Sequence, residues 1–177
     1  MTTNSTDGPG PPWQELNRDL QLNRDLELLP ADLPCSAIMK TDVVVAVEDQ
    51  TVEEVARIMR DAVIGFVPVC TPEGEVVGTV TDRDLAIRVV AEGRTPQMCL
   101  VGEVMSGGVL SCGEDDPLST AEDLMMEYGK SRIMVTGAGE RLVGIISLSD
   151  IAVQETSERV AATLRRVAER ESTPTPR

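Results

Sequence analysis

The sequence predicts a mixed α/β (α+β) protein built from two β-α-β-β-α repeats packed about a pseudo-two-fold axis. Three observations carry this. Met39 recurs as Met105, Val43 as Val109, Met59 as Met125, Val69 as Val135, Gly78 as Gly144 and Asp84 as Asp150, always 66 residues apart and without a gap, and such a fixed internal period sets the architecture before any element is drawn. Within each copy the apolar pattern changes from strand-like to helical and back in the same order. Finally, the 177 residues are 41% hydrophobic and 26% charged, a globular composition. Halves of about 60 residues bury too little surface alone, so the copies must share a core.

Each copy opens with an apolar, β-branched run, Thr41 to Val47 or Val109 to Cys112, which predicts an extended segment. A helix start follows. Thr51-Val52-Glu53-Glu54 has the capping-box form, and Asp116-Pro117 places a capping side chain before a first-turn proline. Apolar residues then recur at helical spacing: Val52, Val55, Ile58 and Met59 in one copy, Leu118, Ala121, Leu124 and Met125 in the other. Next come hairpins around Thr71-Pro72-Glu73-Gly74 and Gly137-Ala138-Gly139. Pro68 within the first hairpin must sit where a lost ladder bond does no harm. Closing helices begin near Asp84 and Asp150.

Composition excludes whole classes of function. The chain has no histidine, which removes Ser-His-Asp and Cys-His nucleophile pairs and His-ligated metals; no catalytic residue and no metal site is assigned, and the chain is read as a non-enzyme. Glu114-Asp115-Asp116 reads as helix capping rather than a cation cluster. A formal charge of −14 with only 2% aromatics argues against a nucleic-acid polymer as partner. The four cysteines form no C-x-x-C pair, the N-terminus lacks a basic and apolar leader, and no stretch approaches a membrane span. The expectation is a cytoplasmic protein with no membrane partner.

Two further motifs sharpen the reading. Ile38-Met39 and Val104-Met105 open the copies, and a G-h-h-[ST]-x-x-D pattern (h apolar) closes them, as Gly78 to Asp84 and Gly144 to Asp150. With Val67-Pro68-Val69, these make the chain resemble a tandem pair of cystathionine-β-synthase (CBS) domains, a Bateman module, over about residues 33 to 155. The resemblance implies a cleft between the repeats for an adenosine-containing ligand, with no obligatory cofactor: AMP, ADP, ATP or S-adenosylmethionine as a regulatory ligand. It places ribose hydroxyls on Asp84 and Asp150, with Thr81 and Ser147 offering hydroxyls. Adenine falls against Val45, Phe66, Pro68, Ile133 and Met134. A phosphate tail needs positive charge in so acidic a chain, which singles out Arg83, Lys130 and Arg132, and also Arg88. A carboxylate can accept from both cis hydroxyls of a ribose. Against this, Thr81-x-x-Asp84 and Ser147-x-x-Asp150 also fit a capping box with no ligand at all, which makes the alternative a ligand-free interaction scaffold.

The copies are not equivalent: Met134 stands where Pro68 stands, and Ser111-Cys112-Gly113 replaces Val45-Ala46-Val47. The expected layout is a flexible segment over 1–32 with a Leu-rich stretch and Trp13 as anchor, repeats over 33–93 and 94–156, and a C-terminal helix with a disordered tail over 157–177. Val160, Leu164, Val167 and Ala168 share one face of that helix and are expected to bury against a second subunit. The resemblance implies a homodimer that signals to an effector protein.

Overall fold

The computed structural model describes residues 33–154 and 157–171; the Leu-rich stretch with Trp13 and the final tail lie outside them. The first half contains α1 (Val52–Ala62), β1 (Phe66–Cys70), β2 (Val76–Thr81) and α2 (Asp82–Leu85), which runs on into a π turn (Ala86–Val90). A short α3 (Val101–Val104) leads to β3 (Ser111–Gly113), α4 (Leu118–Tyr128), β4 (Arg132–Thr136), β5 (Leu142–Ser147), α5 (Leu148–Gln154) and α6 (Ser157–Glu171). The first sheet is the antiparallel hairpin β1-β2. The second has order β3-β4-β5, with β3 parallel to β4 and β4 antiparallel to β5. Both hairpins bulge at equivalent places, Val69/Cys70 and Val135/Thr136.

The expected opening strands form unequally. In the second half, β3 pairs Ser111, Cys112 and Gly113 with Met134, Val135 and Thr136. In the first half the run from Thr41 to Val47 makes only the parallel bridge Ala46↔Val69: the Ala46 amide donates to Pro68 O at 2.9 Å and the Cys70 amide to Ala46 O at 2.8 Å. One step earlier the ladder would need the amide of residue 68, which proline lacks. Met134 supplies the equivalent bond to Leu110 O at 3.3 Å. The proline accounts for the pairing lost before Ala46; the one after it is absent as well, since Glu48 does not repeat the bond that the Glu114 amide makes to Thr136 O at 3.1 Å.

Helix α1 buries Val52, Val55 and Met59 and starts at a complete capping box, Thr51 with Glu54. Helix α4 departs from expectation. Pro117 is itself the N-cap, with no side-chain cap, because the Asp116 carboxylate accepts the Gly113 amide at 2.7 Å and so braces the preceding turn. The helix ends also differ. Gly129 closes α4 in the left-handed region at φ 61°, whereas Val63 closes α1 there at φ 55°, a conformation that costs a β-branched residue about 1–2 kcal/mol.

Two cores form, and each takes its lid from the other repeat. Val101, Val104 and Cys99 complete the first core, beside Val55, Val67 and Val80. Cys35 completes the second, beside Leu118, Ile133 and Ile146, with Ile38 and Met39 packed against it. Fully burying a side chain such as Val101 contributes roughly 1.5–3 kcal/mol. The exchange continues in the backbone: Lys40 bridges Ile145 and Ser106 bridges Thr79, which are repeat-equivalent pairs. It explains why Met and Gly recur together. A Cβ on Gly144 would meet Met39 Sδ at 2.6 Å, and one on Gly78 would meet Met105 Sδ at 2.8 Å, so the recurring Met and Gly of opposite halves are contact partners.

Helix α6 corrects a further expectation. Val160 packs on the second core while Thr163 and Val167 are buried, and Leu164 and Ala168 are exposed. Val160, Thr163 and Val167 are turned to the chain's own second half, while Leu164 and Ala168 stay on the exposed side.

Candidate ligand cleft

The junction between β5 and α5 sets the chemistry. A strand that ends in Ser147 and turns into a helix leaves first-turn amides without partners, and the Asp150 carboxylate turns back to fill that need. Asp150 Oδ2 accepts the Ser147 amide at 2.9 Å and also the Ser147 hydroxyl. Its other oxygen, Oδ1, pairs with Lys40 Nζ at 2.7 Å. Burial works to raise the Asp150 pKa, but the Lys40 ammonium and the Ser147 hydroxyl and amide overcome it and hold the carboxyl below the usual range. The Asp150 side chain is 13% exposed and that of Lys40 is 69% exposed, so the cation can swing away at little cost.

These groups line one wall of a cavity of about 280 Å³ between the repeats. Ser147, Ser149, Asp150, Ile145 and Arg132 come from the second half, and Val43, Val44, Val63, Ile64, Gly65 and Phe66 from the first, with Lys40 and Asp42 at the seam. Arg132 lies directly opposite Ser147 in the β4-β5 register, and its guanidinium stands over the Phe66 ring, 5.8 Å from the centroid, at cation–π range. Phe66 and Arg132 are themselves repeat-equivalent, so they meet across the pseudo-two-fold axis. The cleft thus offers two carboxylates, Asp150 and Asp42, two hydroxyls, two cations and an apolar strip.

The first-half counterpart is built differently. Thr81 and Asp84 form the same cap: Asp84 Oδ2 accepts the Thr81 amide at 2.9 Å and its hydroxyl at 2.6 Å. Here the other oxygen faces Arg88 at 3.3 Å, and Arg88 is committed elsewhere as well. It donates to Val104 O at 2.5 Å, Met105 O at 2.8 Å and Ser106 Oγ at 2.9 Å. Arg88 therefore ties α2 to the end of α3 and is no free phosphate binder.

The CBS domain family model matches residues 35–91 and 101–154. The chain belongs to the CBS domain family. The CBS domain-containing protein YhcV of Bacillus subtilis is 36% identical over 123 residues, 70% of this chain and 86% of YhcV. The uncharacterized protein MK0525 of Methanopyrus kandleri is 32% identical over 114 residues, 64% of this chain and 58% of that protein, so the chain spans little more than half of MK0525. Among solved structures, the CBS domain pair of protein MJ0100, in complex with 5′-methylthioadenosine and S-adenosyl-L-methionine, is similar at TM-score 0.61 and 25% identity, covering 68% of this chain and 98% of that one.

Within this CBS pair, the residues singled out from sequence separate into groups. Phe66, Arg132, Ser147 and Asp150 share the cleft. Thr81 and Asp84 sit together at the other cap, with Arg83 exposed beside them. Lys130 is exposed and lines neither this cavity nor a second one near the hairpin ends, which Val45 does line. Pro68 is buried in β1, and Ile133 and Met134 are 0% and 3% exposed. Ile133 belongs to the second core and Met134 to a small cluster with Cys70 and Val76, so neither side chain is available to hold an adenine. Sequence reasoning missed Lys40, Ile64 and Gly65. Lys40 had one signal, a basic residue directly after Ile38-Met39 where the second copy has Ser106. Among the described residues no cluster of three or more His, Cys, Asp or Glu could hold a metal ion, and no helix is long and apolar enough to cross a membrane.

Proposed function

We propose that this CBS pair is a regulatory module that binds an adenine nucleotide or related adenosyl ligand in the Asp150 cleft and passes its occupancy to a partner protein or a second copy. The observation that carries this reading is the convergence, from two repeats, of Asp150 and Ser147 with Val43, Val44 and Phe66 and with the cations Lys40 and Arg132. A ribose diol donates to the Asp150 carboxylate, the apolar strip takes the adenine, and Lys40 and Arg132 face a phosphate tail. The likeness to a CBS pair that holds adenosyl compounds supports the class of ligand. Because the ligand touches both repeats, it favours one arrangement by its differential affinity for that arrangement. Ile87 and Val153, at equivalent positions on the closing helices, are 49% and 80% exposed and offer an apolar face for a homodimer.

A ligand-free scaffold has one observation in its favour: both caps are complete within the protein. Thermal melting separates the readings. AMP, ADP, ATP or S-adenosylmethionine at a hundred times its Kd should add about 2.7 kcal/mol, a rise of roughly 5–10 °C. Asp150→Ala should abolish the rise and Asp84→Ala preserve it. No shift with any of the four at millimolar concentration would establish the scaffold instead.

A further inference from the structure

Cys35 Sγ and Cys112 Sγ lie 3.4 Å apart, both buried, although 77 residues separate them in the chain. Cys35 belongs to the segment that lids the second core, and Cys112 is the central residue of β3. The backbone clamps the pair from the Cys35 side. The Cys35 amide donates to Asp116 O at 2.8 Å, the Ser36 amide to Glu114 O at 2.9 Å, and Pro34 bridges Pro117. The first half shows what packing alone requires at this junction, because its equivalent residues are Val101 and Ala46, 0% and 1% exposed. Two apolar side chains suffice there, so burial does not call for two thiols here.

We propose that Cys35 and Cys112 are a redox-active dithiol that closes to a reversible disulfide when the protein meets a peroxide. The two sulfurs need only approach from 3.4 Å to about 2.0 Å, within reach of side-chain rotation on a backbone already in place. Either sulfur can open the reaction; Cys35, on the lid segment, is taken as the first nucleophile. The hydrogen bond from Cys112 holds its thiol below the ordinary cysteine range against burial and the Asp116 carboxylate, while the same bond and burial push Cys112 up. The Cys35 thiolate attacks hydrogen peroxide, the O–O bond breaks, and a sulfenic acid forms as the first water leaves. Cys112 sulfur then attacks Cys35 sulfur, the S–S bond forms, and the second water departs. Two thiols lose two protons and two electrons, and one peroxide becomes two waters. Both sulfurs are buried, so peroxide reaches them when the lid segment, whose Ser36 and Ala37 are exposed, opens locally. Two equivalents of a small thiol reverse the reaction.

The consequence is mechanical. The bond would fasten the lid segment to β3, and four residues further on that segment carries Met39 against Gly144, followed by Lys40 against Asp150. This inference stands independently of any adenosyl ligand. Its test uses the full chain treated with hydrogen peroxide, unfolded, alkylated and mapped by mass spectrometry. Four alkylated cysteines should fall to two, with one Cys35–Cys112 cross-linked peptide pair, reversed by dithiothreitol. Closing so long a loop should raise the melting temperature by about 10 °C. Cys70 and Cys99, both buried, are internal controls, and a Cys70→Ala/Cys99→Ala variant should give the same product. Four thiols surviving peroxide, sulfinic acids in place of a cross-link, or a cross-link through Cys70 or Cys99 would each overturn the proposal, and mapping the wild-type chain settles it even if Cys35→Ser fails to fold.

Discussion

Besides their first-helix caps, complete in α1 and lacking a side chain in α4, the two halves differ at four equivalent places, and in three of them the second half is the less constrained. It ends its first helix in Gly129 where the first half strains Val63, it pairs β3 through Met134 where Pro68 breaks the ladder, and its cap carboxylate meets an exposed Lys40 where Asp84 meets a committed Arg88. At the fourth, thiols replace Val101 and Ala46. The cleft described above joins the irregular wall of the first half to the regular cap of the second. Val44, without a strand partner, stays 38% exposed at the cavity, whereas Leu110, held by the Met134 amide, is half-buried. The unpaired run of the first repeat supplies the cleft's exposed apolar wall, and the capped junction of the second supplies its polar one.

The largest test addresses the contacts that hold the halves together. Gly78→Ala should cost about 2–3 kcal/mol and Gly144→Ala about 1–2 kcal/mol, read by urea unfolding. A Cβ at 78 meets Ser106 O at 2.9 Å as well as Met105, and that carbonyl is fixed by the Thr79 amide. At 144 the two nearest atoms are Met39 Sδ and Cγ, which can turn aside, and Met39 Cβ follows at 3.0 Å with no backbone atom among the three. Equal costs would mean that the junctions are interchangeable. The next effect has the opposite sign. Val63→Gly should stabilise the chain by about 1 kcal/mol through relief of its left-handed strain, while Gly129→Val should destabilise it. A Val63→Gly variant no more stable than wild type would show that the strain is already offset at the cleft wall.

A smaller effect tests the Lys40–Asp150 pair. The folded pKa of Asp150 is depressed, so its contribution to stability is complete above its unfolded value near pH 4 and is lost as pH falls through the lower, folded value. Lys40→Met should raise the Asp150 pKa, measured by NMR titration of the carboxyl carbon, and move the acid limb of the stability curve to higher pH. An unmoved pKa would assign the depression to Ser147 alone.

Much of the fold was legible because it is local. The 66-residue period, the Thr51 and Thr81 caps and both hairpins depend on neighbours in the chain. What stayed hidden was long-range. Identical residues in two copies read as duplicates, and nothing in one copy tells that Met39 touches Gly144 rather than Gly78. For the same reason Lys40 escaped notice, since only the exchanged bridge to Ile145 brings it to Asp150. Ile133 misled because β4 buries three consecutive residues. It is covered on both faces, and strict alternation fails in such a strand.

The smallest effect goes to the origin of the asymmetry. In the β1-β2 register Pro68 faces Thr79, whose amide and carbonyl are both spent on Ser106. The backbone of residue 68 is therefore turned the other way, toward the opening run, where its carbonyl already accepts from Ala46. Pro68→Ala restores an amide aimed at the Val44 carbonyl, as the Met134 amide is aimed at Leu110. The new hydrogen bond contributes about 0.5–1.5 kcal/mol, while the freer unfolded chain takes back about 0.4–1 kcal/mol. Global stability should thus stay within about 1 kcal/mol, but residue 68 should gain a protected amide in hydrogen exchange and Val44 should become less exposed. If the cleft owes its opening to the missing amide, the same variant should weaken any nucleotide-induced rise in melting temperature. Unprotected exchange at residue 68 would place the cause of the broken strand in the Thr41 to Val47 run itself.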